Sequence, residues 1–150
     1  MAIVFSLYLE KRIPVTRLKQ RIAEITGVPL TEYGTFHDPV SGLLIGARAG
    51  DKELGDMTEE DYGFRAGTII WFRQGKREYA RNDRIMLGVV ARLLKEVPGR
   101  AVLEFDEDPS TVLIRREDTL IIDPAWKDKP GMEYLMQGDF KYKLEKLPRL

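Results

Sequence analysis

Residues 82–123 read NDRIMLGVVARLLKEV, PGR and AVLEFDEDPSTVLIRREDTLIID, a helix-like block followed by strand-like runs. In its first block, Ile85, Met86, Val89, Val90, Leu93, Leu94 and Val97 recur at steps of one and three. That spacing lays a broad apolar face along a helix over 82–97. Asn82 reads as its N-cap, Asp83 suits the positive start of the helix, and Pro98-Gly99 ends it. Three β-rich runs follow, at 102–105, 112–115 and 120–122, with turn chemistry between them. A helix with so wide an apolar face must lie on a sheet, and the strands to build one come directly after it.

Working back toward the start, residues 2–9 alternate. Ile3, Phe5, Leu7 and Leu9 share one face, and Val4, Ser6 and Tyr8 share the other, which predicts a strand. After Pro14, Leu18, Ile22 and Ile25 fall on one side of a predicted helix that Thr16 can cap and Gly27 ends. Phe36-His37-Asp38-Pro39 reads as a turn and 42–48 as a strand interrupted by glycines. The polar run GDKELGDMTEED at 50–61 reads as an acidic loop, and AGTIIWFRQG at 66–75 resumes strand alternation. Strands joined by short connections argue for antiparallel pairing. The expectation is an α+β fold: a mainly antiparallel sheet of about six strands with two helices packed on one face. Residues 124–150 hold Trp126, Tyr134, Leu135, Phe140, Tyr142 and Leu144 among many charges. They are expected to wrap the edge of a single domain spanning 1–150, with one more strand possible at 140–144.

The chain has 150 residues, 24 basic and 24 acidic side chains, a net charge of zero and no cysteine. Zero net charge gives no global attraction to nucleic acid or acidic membranes. The missing cysteines exclude disulfides, thiolate nucleophiles and thiolate-bound zinc, and they fit a reducing compartment. No apolar run approaches the ~20 residues that span a bilayer, and the start lacks the marks of a signal peptide. The expected location is the cytoplasm.

No catalytic constellation stands out. His37 is the single histidine and sits beside Pro39 in a turn, so a surface-loop role is expected rather than that of a general base. The glycines at 42, 46, 50 and 55 match no phosphate-binding loop, and the acids show no calcium-loop spacing. No cofactor or metal is expected. Arg73, Lys76, Arg77, Arg81 and Arg84, with Tyr79 among them, have the composition of a phosphate-contacting segment. A solvated helix start, partly neutralised by Glu78 and Asp83, is the plainer reading.

The sharpest charged cluster is Glu104, Asp106, Glu107 and Asp108. Leu103 and Phe105 should face inward, which turns Glu104 outward beside a hairpin turn. Residues 101–150 hold eight basic against eleven acidic side chains, whereas residues 1–50 hold six against four. Glu104, Asp106, Glu107 and Asp108, together with Glu59, Glu60 and Asp61 of the 50–61 loop, are therefore the expected contacts for a basic patch on a protein partner.

Several segments together resemble a known group. EDYGFRAGTIIWFR, then MLGVVARLLKEVPGRAVLEFDEDPSTVLIRREDTLIID, then a tryptophan and a closing Tyr…LeuPro…Leu, are similar to the immunity proteins of bacterial polymorphic-toxin systems, in particular the Sit (swarming-inhibition toxin) type. The resemblance covers 61 to the end, with a compatible strand-helix opening. It departs at 116–118, where a glycine-containing turn is expected, and at Glu104, where a more apolar residue is. It implies a non-catalytic protein that binds and blocks a cognate toxin domain. The alternatives left by the residues themselves are a nucleic-acid-binding module using segment 73–84, or an enzyme whose site cannot be paired from sequence.

Overall fold

The structure, a computed structural model, describes residues 2–107 and 110–147. Eight strands form one sheet: β1 (Val4–Leu9), β2 (Phe36–His37), β3 (Leu44–Ala49), β4 (Thr68–Arg73), β5 (Ala101–Phe105), β6 (Ser110–Arg116), β7 (Thr119–Ile122) and β8 (Lys141–Leu144). Their order across the sheet is β2-β3-β4-β1-β5-β6-β7-β8. Every pair is antiparallel except β7–β8, which is parallel. Among the described residues there are three α-helices: α1 (Val15–Thr26), α2 (Lys52–Tyr62) and α3 (Tyr79–Glu96). The α+β class and the dominance of antiparallel pairing agree with the sequence reading. The counts of about six strands and two helices are corrected to eight and three, and the sheet is mixed.

Alternation in β1 organises both faces of the sheet. Leu7 pairs with Ile70 of β4 and Leu103 of β5, and all three are fully buried in the main core with Phe5 and Leu9. On this face lie α1, through Leu18 and Ile22, and α3, through Met86, Val89, Val90, Leu93 and Leu94. Burying a side chain of this size contributes about 1.5–3 kcal/mol. Tyr8 points the other way and pairs with Ile69 and Val102. With Leu54, Phe64 and Ala66 these three form a second, smaller cluster under α2. The helices therefore occupy both faces, and the two expected from sequence do share one.

The 50–61 segment is the largest departure. Asp51 accepts the Leu54 amide at 2.8 Å, α2 follows, and Gly63 ends it at φ 79°. Lys52 and Asp56 pair at 3.0 Å one turn apart. Only Leu54, Gly55 and Thr58 of α2 are buried, so the helix has almost no apolar period to show in the sequence. α3 begins at Tyr79, three residues before Asn82. Asn82 is fully buried, and its amide donates backward to the carbonyls of Gly75 (3.0 Å) and Arg77 (3.4 Å) instead of capping the helix. Likewise α1 starts directly after Pro14, without a side-chain cap from Thr16.

The far end of α3 is closed from the sheet. Arg115 of β6 is 7% exposed and donates to the carbonyls of Leu94, Val97 and Gly99. Burial lowers the pKa of this guanidinium from its ordinary value. Three carbonyls at the negative end of a helix offset its desolvation. Beyond β7, Trp126, Met132 and Leu135 pack on the main core. Lys129 pairs with the buried Asp83 at 3.0 Å and lies 4.8 Å from the Phe5 ring centre. β8 then pairs with the outer edge of β7, where the sequence offers one more strand at 140–144.

Candidate partner-binding surface

β5 carries Leu103 into the main core, so its neighbour Glu104 falls on the opposite face, across from Ser6 of β1 and Thr111 of β6. The register slips between Leu103 and Glu104, which leaves Val112 as the extra residue of a bulge and turns both Val112 and Leu113 into the main core. Glu104 lies on the predicted side but not in solvent: it is only 9% exposed. Its carboxylate accepts from the hydroxyls of Tyr8 (3.2 Å) and Tyr62 (2.6 Å). Burial, with Glu104 beside them, raises the pKa of both phenols, so they stay protonated and remain donors.

Asp106 is the first residue past β5. Its amide donates to Val4 at 2.9 Å, and its carboxylate accepts from the Ser6 hydroxyl at 2.8 Å. Burial of the carboxyl group pushes its pKa up to about 6. The Ser6 hydrogen bond works against that rise, and the neighbouring charge of Glu104 adds to it. Glu107 is exposed, and Asp108 lies outside the described residues.

Glu59, Glu60 and Asp61 are exposed on the last turns of α2, not in a loop. Glu59 lies 3.9 Å from Arg65, which forms a shorter pair with Asp56 at 2.6 Å. Among the described residues Glu60 and Asp61 have no ion-pair partner. Tyr62 follows them directly, so its bond to Glu104 ties the end of α2 to β5. The structure thus brings Asp106 and the end of α2, with Glu60 and Asp61, to one side of the sheet, with Glu104 beneath the surface; Glu107 is exposed past the end of β5. The tyrosines that link them were missed. The alternation of β1 placed Tyr8 opposite the core, but no local signal joins Tyr62 to a carboxylate 42 positions away.

The two departures from the immunity-protein pattern have structural counterparts. Glu117 stands at φ 54° between β6 and β7, a left-handed conformation that glycine adopts without strain. Glu104 occupies a buried position where an apolar side chain would fit, and two phenols supply the hydrogen bonds its carboxylate needs.

The remaining candidates are partly consumed by the fold. Arg81 forks onto the buried Asp38, and Arg77 donates to the Pro39 carbonyl at 3.3 Å, so part of the basic 73–84 segment, though exposed, is tied to the β2–β3 connection. His37 is in β2 opposite Leu44 rather than in a turn, and its neighbour Asp38 belongs to Arg81. Among the described residues no three His, Asp or Glu side chains gather as a metal would require, and no helix is long and apolar enough to cross a membrane.

A family model described as SitI3-like matches residues 3–130. It therefore begins one residue before β1, includes the opening strand and helix, and stops short of β8. No curated protein and no solved structure matches the chain.

Proposed function

The chain belongs to the SitI3-like family, and on that premise we propose that it is an immunity protein, which binds a cognate bacterial toxin domain and blocks it without chemistry of its own. The family match over residues 3–130 carries this reading. The surface proposed for the toxin is the acidic one formed by Asp106, Glu107, Glu59, Glu60 and Asp61, with Glu104 positioning its floor. A toxin that acts on nucleic acid or nucleotides needs a basic cleft, and a carboxylate cluster can occupy that cleft in place of phosphate. Opposite charge on the two surfaces mainly raises the association rate.

The test is coexpression with the toxin domain encoded beside this chain's gene. Restored growth and a complex that co-elutes in gel filtration support the reading. A toxin that still kills and does not bind overturns it. Charge reversal at Asp106 and Glu107 then locates the surface: slower association with a flatter salt dependence supports the acidic face, and unchanged association moves the interface elsewhere.

A further inference from the structure

We propose that the groove between the β1–α1 connection and the last turn of α3 is a docking site for an extended acidic segment of a protein partner. It lies on the α1/α3 face of the sheet, opposite α2 and the carboxylate cluster, and it stands independently of the family reading. Its volume is about 410 Å³, within the range of sites that hold small ligands or a few side chains.

Charge carries the inference. Four cations line the groove, Lys11, Arg12, Arg17 and Arg21, against two acids, Glu24 and Glu96. Both acids are already paired: Arg21 forks onto Glu96 at 2.6 and 2.8 Å and reaches Glu24 at 3.2 Å, and Arg92 lies 3.9 Å from Glu96. Among the described residues Lys11, Arg12 and Arg17 have no ion-pair partner, and Arg12 makes only a 3.3 Å bond to the Gly50 carbonyl. The first turn of α1 holds no acidic side chain either, so the positive end of its dipole adds to the same potential.

The floor selects the class of occupant. Half-buried Ile13 and Val97 lie beside exposed Pro14 and Pro98. Proline's fixed φ makes this floor rigid, and the side chains of Ile13, Leu18, Leu93 and Val97 give it the apolar surface that an apolar anchor needs. No aromatic side chain lines the groove, which leaves nothing for nucleobases to stack on. A peptide with carboxylates flanking an apolar side chain fits both features.

The probe is an acetylated octapeptide of alternating leucine and glutamate, titrated into the full-length nitrogen-15-labelled protein. A leucine–lysine octapeptide and an eight-nucleotide oligothymidylate serve as controls. The expected result is chemical-shift change confined to Lys11, Arg12, Ile13, Arg17 and Val97, weakened by salt, with no effect of the lysine peptide. Lys11→Glu combined with Arg17→Glu, both exposed, should leave circular dichroism unchanged and weaken the glutamate peptide about tenfold. No shifts in the groove at millimolar peptide, equal binding by the lysine peptide, or unweakened binding by the double variant would each overturn the proposal. Tighter binding of oligothymidylate in the same groove would overturn it in favour of a nucleic-acid ligand.

Discussion

Asp38 and Arg81 are 43 positions apart in sequence, yet the Asp38 carboxylate, 1% exposed, accepts Nε of Arg81 at 2.7 Å and Nη2 at 3.1 Å. The same carboxylate accepts the Ser41 hydroxyl at 2.6 Å and the amides of Val40 and Ser41 at longer range. One side chain therefore shapes the β2–β3 connection and fastens it to the first turns of α3.

Asp38→Ala should destabilise the fold by about 2–4 kcal/mol in urea melts, because it strands several donors in a buried loop. The Arg81 bonds first, then those of Ser41 and Val40, hold the Asp38 carboxyl well below the usual carboxylate range. Its pKa is depressed on folding, so its stabilisation is present above the unfolded value of ~3.9 and is lost as pH falls through the folded value. Acid unfolding of Arg81→Ala should show less of this slope.

Asp106 should behave in the opposite sense. Its carboxyl resonance is expected to titrate near 6. The folded chain binds the extra proton more readily than the unfolded one, so this group's contribution to stability is greatest at low pH and falls as pH rises from ~4 toward 6. Asp106→Asn should abolish that decline. An unshifted carboxyl titration near ~3.9 would remove the basis for it.

Glu117→Gly should stabilise the fold. The β6–β7 turn holds Glu117 at φ 54°, which costs a residue with a Cβ roughly 1–2 kcal/mol. The entropy of an added glycine takes back part of the gain, so a net increase of about 0.5–1 kcal/mol is expected in denaturant melts. A loss of stability would show that the Glu117 side chain outweighs its backbone strain.

Gly46→Ala should cost about 1–3 kcal/mol by overpacking. Gly46 pairs with Trp71 across β3 and β4, and a Cβ there would overlap the indole ring. Displacement of the ring should change tryptophan fluorescence. In Trp71→Ala the same glycine substitution should become nearly neutral, a coupling that a double-mutant cycle measures directly.

The elements that sequence revealed are those whose faces differ sharply. β1 alternates apolar and polar residues, and α3 repeats its apolar residues at helical spacing, so both were legible, as was the α+β class. α2 was hidden because its buried contacts are Leu54, Gly55 and Thr58, and eleven residues dominated by charge resemble a loop. β2 is two residues long and exists only because β3 is beside it. The acidic cluster was visible as composition. Its layering was not, because the burial of Glu104 depends on Tyr62, which arrives from another element, and on a bulge that redirects Val112. Arg115 was equally unreadable: one of two adjacent arginines at the end of an apolar strand, it gives no sign that a helix end 18 to 21 residues earlier will need its protons.

The parallel pairing of β8 with β7 sets an order of events. Antiparallel neighbours such as β6 and β7 can zip from a tight turn, but β8 must travel around through 123–140 before Lys141 meets Thr119. Until it does, β7 presents an unpaired edge containing Leu120, Ile121 and Ile122, an invitation to any other extended chain nearby. Closing a connection of that length costs more chain entropy than closing a tight hairpin turn, and that cost must be met before the β7–β8 pairing can offset it. The Lys129–Asp83 pair and the packing of Trp126 on Phe5 shorten the search by pinning the connection midway. The protection of that edge therefore rests on a contact made elsewhere, because the Lys129–Asp83 pair holds in place the connection that delivers β8.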